Sequence, residues 1–229
     1  ILALRSLRDM LAGNASKSSD VTVKWDGAPA VFAGRDPMDG QFFVAKKGIF
    51  NKSPKVYKSH ADIDADTSGD LSDKLKAAFD ALKDAGIKNV IQGDIMFTKS
   101  ELKKETIAGE SYITFHPNTI VYAVPSKSKL AKKILSSNVG IVFHTAYNGD
   151  TFETMKASYD VNVDNLKNKK GLWADDARVR DVSGSAIFTA KDTKEVTKAL
   201  SIAGKIFKKI ASTTLREIER NENLAKTIE

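Results

Sequence analysis

The apolar run at residues 89–97, Asn89-Val90-Ile91-Gln92-Gly93-Asp94-Ile95-Met96-Phe97, constrains the fold more than any other part of the chain. It is too short for a buried helix and apolar enough to be covered on both faces, so it reads as a buried strand. A buried strand needs neighbours. Residues 119–125 (Thr-Ile-Val-Tyr-Ala-Val-Pro) and 139–144 (Val-Gly-Ile-Val-Phe-His) read as further buried strands. Upstream, residues 21–24 and 28–34 read as two strands around a tight Asp26-Gly27 turn. A second turn at residues 36–40 leads to a strand at 41–46, and a late strand is expected at 185–191.

Helical periodicity is clearest at residues 71–85. Leu71, Leu75, Ala78, Phe79 and Leu82 share one face, Asp70 is placed to cap the start, and Gly86 stands at the end. Helices are also expected at residues 1–11, 126–136 and 193–229, the last with Val196, Leu200, Ala203, Phe207 and Ile210 on one face. The polar stretch 51–69 reads as an exposed loop, and 150–181 carries a weaker, mostly polar pattern. Strands with interspersed helices predict an α+β fold of antiparallel sheets flanked by helices: a core over 1–191 and a helical extension over 192–229. Ile1 rather than Met stands first, which points to a processed product or a fragment.

Composition removes whole classes of chemistry. The chain has 229 residues and no cysteine, so disulfide frameworks, thiolate zinc sites and cysteine nucleophiles are excluded together. With 41% hydrophobic and 28% charged residues it is neither a disordered tail nor a membrane protein. His60, His116 and His144 lack metal-ligand spacing, and His144 reads as a strand-end residue. The net charge of +7 favours a polyanionic partner, nucleic acid or nucleotide phosphate, with plain solubility as the alternative. Lysines at 127–133 and at 167, 169 and 170 are either a track for a phosphate backbone or solvated faces.

Lys24-Trp25-Asp26-Gly27 carries the most chemical information. A lysine at a strand end, followed by a tight turn, holds its amine at a fixed place above a sheet. Deprotonated, that amine is a nucleophile, and positive neighbours such as Lys46 and Lys47 favour the free base. The competing reading is an Asp-Gly hairpin turn with a solvated lysine.

Lys24 to Gly27, followed by Lys46-Lys47-Gly48 and then Val90-Ile91-Gln92-Gly93-Asp94, resembles the covalent nucleotidyltransferase superfamily of ATP-dependent DNA and RNA ligases and capping enzymes. Its first motif is K-x-D/N-G, and its third is an apolar strand ending in Gly-Glu, with aspartate here for glutamate. The following aromatic strand is similar to Ile120-Val121-Tyr122-Ala123-Val124. Residues 23–32, 117–125 and 140–145 also resemble ligase-like proteins encoded by large tailed bacteriophages.

The resemblance implies a nucleotidyltransferase core and an enzyme that forms a lysyl-AMP intermediate on Lys24, using ATP or GTP with magnesium, and acts on RNA or DNA ends. Trp25, Asp26, Gly27, Lys46 and Lys47 would belong to the nucleotide site, and Asp94 would accept hydrogen bonds from ribose hydroxyls. Tyr122 would either stack on the base or pack in the core. It further implies nucleic acid and other phage proteins as partners, no membrane, and a place in the host cytoplasm or the virion.

Two motifs depart from the family. Val139-Gly140 stands where the fourth motif has Glu-Gly, so a metal would need Asp150 or Glu153 from the next loop. No K-x-K pair lies on a convincing strand; Lys191, closing the late strand, is the nearest substitute for the lysines that reach the α-phosphate. The alternative is therefore a catalytically impaired relative that serves as a nucleic-acid-binding or virion-associated module.

Overall fold

A computed structural model describes residues 2–12, 22–159, 161–178 and 188–220. They fall into two compact units, one formed by Thr22–Val179 and one by Ile1–Val21 together with Arg180–Glu229. Among the described residues no helix is long and apolar enough to cross a membrane.

In the unit of the chain ends, α1 (Leu2–Leu11) packs against α6 (Ala190–Phe207), where the Arg8 guanidinium donates to Thr197 Oγ1 at 3.1 Å; α7 (Ser212–Glu219) follows. Thr189 and Asp192 form a capping box that starts α6. That box overturns one expectation: Lys191 does not close a strand but sits in the first turn of a helix. Residues 185–187 of the expected late strand lie outside the described residues.

The unit Thr22–Val179 is built on a sheet in which β2 (Phe42–Ala45), β1 (Ala30–Arg35), β3 (Val90–Thr98), β7 (Ser137–Asn148) and β8 (Lys156–Ser158) lie side by side, antiparallel. β9 (Gly171–Asp176) joins the same sheet by pairing parallel to β7. A second sheet contains β4 (Lys103–Ile107), β5 (Glu110–Phe115) and β6 (Tyr122–Pro125). The expected α+β class with antiparallel sheets and flanking helices is what forms.

Alternation sorts the large sheet into two faces. Val31, Ala33, Ile91, Ile95, Ile141 and Phe143 point to one core, closed by α2 (His60–Asp66) and by Leu75, Ala78, Phe79 and Leu82 of α3 (Gly69–Leu82). Met96, Val142 and Trp173 point the other way. There they meet Ile113 and Phe115 of the small sheet and Ala131 and Ile134 of α4 (Lys129–Leu135). Phe97 joins them because a register irregularity between Ile95 and Phe97 turns it onto this face. Each fully buried Phe or Ile side chain in these clusters contributes about 1.5–3 kcal/mol of hydrophobic stabilisation.

Several expectations change. The stretch read as a loop contains α2, started by Ser59, whose Oγ accepts from the Asp62 N–H. Ser68, not Asp70, occupies the N-cap of α3, and Asp70 pairs instead with Lys74 at 3.0 Å. Residues 119–125 form no buried strand: β6 begins at Tyr122, and Ile120 and Val121 are about half exposed. Residue 21 of the first expected strand lies outside the described residues, and 22–24 and 28–34 do not form a hairpin. Thr22 makes a single bridge to Arg178, and β1 begins only at Ala30. A Cβ on Gly27 would come within 2.5 Å of Asp94 Cβ and 2.9 Å of Met96 Sδ. Glycine is required there by close approach to β3 rather than by a turn.

Candidate functional site

The segment before β1 is fastened by its aspartate. Asp26 accepts hydrogen bonds from Thr119 N–H and Thr119 Oγ1, both at 2.6 Å, from Asn118 Nδ2 at 2.9 Å and from Ile120 N–H at 3.1 Å. These bonds, led by the Thr119 hydroxyl, favour the carboxylate and lower its pKa to about 2. The Asp26 N–H donates to Tyr122 Oη at 3.0 Å, so the loop at 118–120 and β6 grip the same residue.

Trp25 extends this anchor into the core. Its ring stacks on Tyr122 at 5.5 Å, Tyr122 stacks on Phe115 at 5.3 Å, Phe115 meets Phe97 at 5.0 Å, and Phe97 stacks on Trp173 at 5.9 Å. With residues 25 and 26 held from behind, Lys24 stands on the wall of a cavity of about 280 Å³. Thr22, Val23, Trp25, Asp94, Val142, His144, Tyr159 and Ala177 complete the lining. Lys24 is exposed and makes no hydrogen bond or ion pair to a described residue.

Asp94 supplies the acidic side of the cavity. Its position follows from strand pairing: Ala30 stands opposite it on β1 and Val142 on β7. Burial raises its pKa; the charges of His144, Lys47 and Lys24 oppose that shift, and Asp26 adds to it. His144 Nε2 lies 3.8 Å from Asp94 Oδ2, and His144 Nδ1 is 2.7 Å from Thr145 Oγ1. An amine, a half-buried carboxylate and an imidazole thus face one hollow with apolar walls. Such a set can take a phosphate on the lysine side and hydroxyl or amino donors on the carboxylate side.

The other expected site residues divide. Lys47 opens a 3₁₀ turn at Lys47–Phe50, and its charge reaches Asp94. Lys46 is directed elsewhere: its amine donates to Asp66 at 3.0 Å and lies over the Tyr57 ring. Asp66 also accepts from Lys55 and Tyr57, each at 2.7 Å, and these three donors hold its carboxyl far below the usual range. Tyr122 is placed in the aromatic row and not on the cavity lining. Lys191 lies in the unit of the chain ends.

The expected magnesium ligands do not fit a site at this cavity. Asp150 lines a separate hollow with Arg35, Asp36 and Tyr147, and Glu153 follows in the same loop. That loop leaves β7 beyond Tyr147, which pairs with Val90, four residues and therefore about 13 Å along β3 from Asp94. Among the described residues no group of three or more His, Asp or Glu side chains is placed to hold a metal ion. Val139, at the position of the fourth motif's acid, packs into the helix-covered core on the face opposite Asp94. A glutamate there would not reach the cavity.

His144, Tyr159 and Val142 are site residues that the sequence alone does not single out. His144 lies inside β7 rather than at a strand end, since that strand runs on to Asn148. Its one local signal is the two-residue spacing from Val142, which puts both on one face.

No curated protein and no solved structure matches the chain significantly. A family model matches residues 1–229, and the chain therefore belongs to the family of unknown function DUF6267.

Proposed function

We propose that the protein is a ligase-like nucleotidyltransferase that becomes nucleotidylated on Lys24 and acts on RNA or DNA ends. One observation carries this reading: Lys24 and Asp94, from motifs distant in sequence, face the same cavity. Lys24 Nζ, after giving one proton to solvent, forms the N–P bond to the α-phosphorus of ATP or GTP as the bond to the pyrophosphate breaks, and the second proton then leaves nitrogen for solvent or the departing pyrophosphate. Asp94 accepts hydrogen bonds from the ribose hydroxyls, and Lys47 adds positive charge for the phosphates. At about 280 Å³ the cavity takes a nucleoside-sized group and leaves the triphosphate at its mouth. Magnesium would supply charge neutralisation on the triphosphate. The proposed setting is the cytoplasm of a phage-infected host, or the virion.

The test is incubation with α-labelled ATP or GTP and magnesium, followed by a denaturing gel. Label on the wild type that is lost in Lys24→Ala and Lys24→Arg supports the reading. Absence of label, or label that survives Lys24→Ala, overturns it.

Two observations favour a second reading, a non-catalytic relative that binds nucleic acid. Lys46 is committed to Asp66, and the acid of the fourth motif is replaced by a valine facing the opposite core. Under this reading the protein binds strands in a salt-sensitive way without acquiring label.

A further inference from the structure

Between Glu110 and Asp150 the chain carries no acidic residue, yet it includes Lys127, Lys129, Lys132 and Lys133. The structure gathers these lysines on and just before α4. Ser128 caps the helix, its Oγ accepting from the Ala131 N–H at 3.0 Å, and the helix buries Ala131 and Ile134 completely. The lysines are thereby turned outward. Lys129 is three and four residues from Lys132 and Lys133, the spacing of neighbours on one helix face.

A second basic segment is joined to this one by a specific contact. Lys133 Nζ donates to the backbone carbonyl of Lys169 at 2.9 Å, which brings the start of β9 beside α4. The lysines then separate by role. Lys167 is matched by Asp164, Asp175 and Asp176 at 3.4–3.7 Å, and Lys169 donates to the Asp84 carbonyl at 2.7 Å. Lys127, Lys129, Lys132 and Lys170 are exposed and have no acidic partner among the described residues. Solvated lysines on a mixed surface normally have acids interspersed; around Lys127, Lys129 and Lys132 the sequence contains none, while the acids near Lys170 (Asp164, Asp175 and Asp176) are engaged by Lys167. α4 also packs into the aromatic cluster that backs Trp25, so these cations lie on the cavity side of the large sheet.

We propose that Lys127, Lys129, Lys132 and Lys170 form a docking surface for the sugar-phosphate backbone of a single nucleic-acid strand. Charge complementarity, with no acid anywhere in residues 111–149, identifies the partner as a polyanion. An anionic membrane fits less well. The exposed apolar residues of α4, Leu130 and Leu135, are five apart and share no face, while its true apolar face is buried in the core. The surface gives the strand-binding half of the proposed function but does not depend on chemistry at Lys24.

The test uses fluorescence anisotropy with labelled single-stranded DNA and RNA oligonucleotides over a potassium chloride series. Reversal of Lys127, Lys129 and Lys132 to glutamate takes the formal net charge from +7 to +1, at two units per residue. A control reverses Lys52, Lys88 and Lys156, exposed elsewhere, to the same net charge. The expected result is at least about a tenfold loss of affinity in the first variant, with a salt slope shallower by about two, and a much smaller loss in the control. Glutamine substitutions at the same three lysines, with unchanged thermal melts, guard against a folding defect. Equal losses in both reversals, or no strand binding by the wild type, overturn the proposal. Tighter binding to phosphatidylserine vesicles than to either oligonucleotide, lost in the same variant, also overturns it. Self-labelling of Lys24 is read in parallel. Local strand binding without label would sustain this surface and remove the nucleotidyltransferase reading.

Discussion

Asp26 and Thr119, ninety-three residues apart, are joined twice, through the Thr119 N–H and the Thr119 hydroxyl, each at 2.6 Å from the same carboxylate oxygen. The aspartate of the K-x-D-G motif therefore fastens the segment that carries Lys24. Its folded-state pKa of about 2 lies below the ordinary 3.8, so its stabilising contribution is complete above about pH 4 and is lost as the pH falls toward 2. Asp26→Asn should lower the melting temperature at pH 7, with the difference from wild type closing as melts are repeated down to pH 2.

Asp94 has the opposite sign. Burial raises its pKa, so the folded protein binds this proton more tightly than the unfolded chain, and the carboxylate becomes a cost as the pH rises above the ordinary aspartate range. Asp94→Asn should therefore melt no lower than wild type at pH 7, with its relative advantage disappearing below about pH 4. The same variant should label about 10–100-fold more slowly, the loss expected when a charged acceptor to a bound ligand is removed. A drop in melting temperature at pH 7 would mean that Asp94 has a structural partner.

Tyr122 should behave as a packing residue. Tyr122→Phe keeps the ring but takes the acceptor from the Asp26 N–H, at a cost of roughly 0.5–1.5 kcal/mol. Tyr122→Ala also removes the stack with Trp25 and Phe115, for about 2–3 kcal/mol in all. Chemical denaturation measures both. A Tyr122→Ala protein of unchanged stability that fails to bind nucleotide would return the residue to a base-stacking role.

Adjacent lysines should separate cleanly. Lys46→Ala breaks a solvent-screened pair with Asp66 and should leave labelling within about twofold of wild type. Lys47→Ala removes charge that bears on Asp94 and should slow labelling by roughly tenfold. Equal effects in the gel assay would contradict the placement of the two side chains.

Gly27→Ala tests the close approach to β3. The added methyl has no room beside Asp94 Cβ and Met96 Sδ, so a loss of about 1–3 kcal/mol is expected, together with slower labelling as Asp94 is displaced. Wild-type stability would show that the segment is free to lift away from the strand.

The elements legible in the sequence are those whose burial leaves a period. α3 shows its face as Leu75, Ala78, Phe79 and Leu82, and β3 shows as an apolar run. Strands β4 and β5 pass unnoticed because Lys103–Ile107 is exposed throughout without alternation and Glu110–Phe115 buries only its last three residues, also without alternation. Their turn also lacks the usual Asn-Gly signal, with Ala108 at φ 50° and Gly109 at φ 85°. Helix α2, His60–Asp66, buries only Ile63, too little for a periodic signal. Lys24 and Asp94 are visible as motif residues, but His144 joins them only through the pairing of β3 with β7. That is a non-local fact no window along the chain contains.

The aromatic row from Trp25 to Trp173 gives the protein an intrinsic optical probe. The chain has two tryptophans, and they stand at the two ends of that row, one lining the cavity and the other almost wholly shielded from solvent. Quenching or a spectral shift confined to the accessible indole would report an occupant of the cavity directly, with no label attached. A change in both indoles would signal that the row itself has come apart.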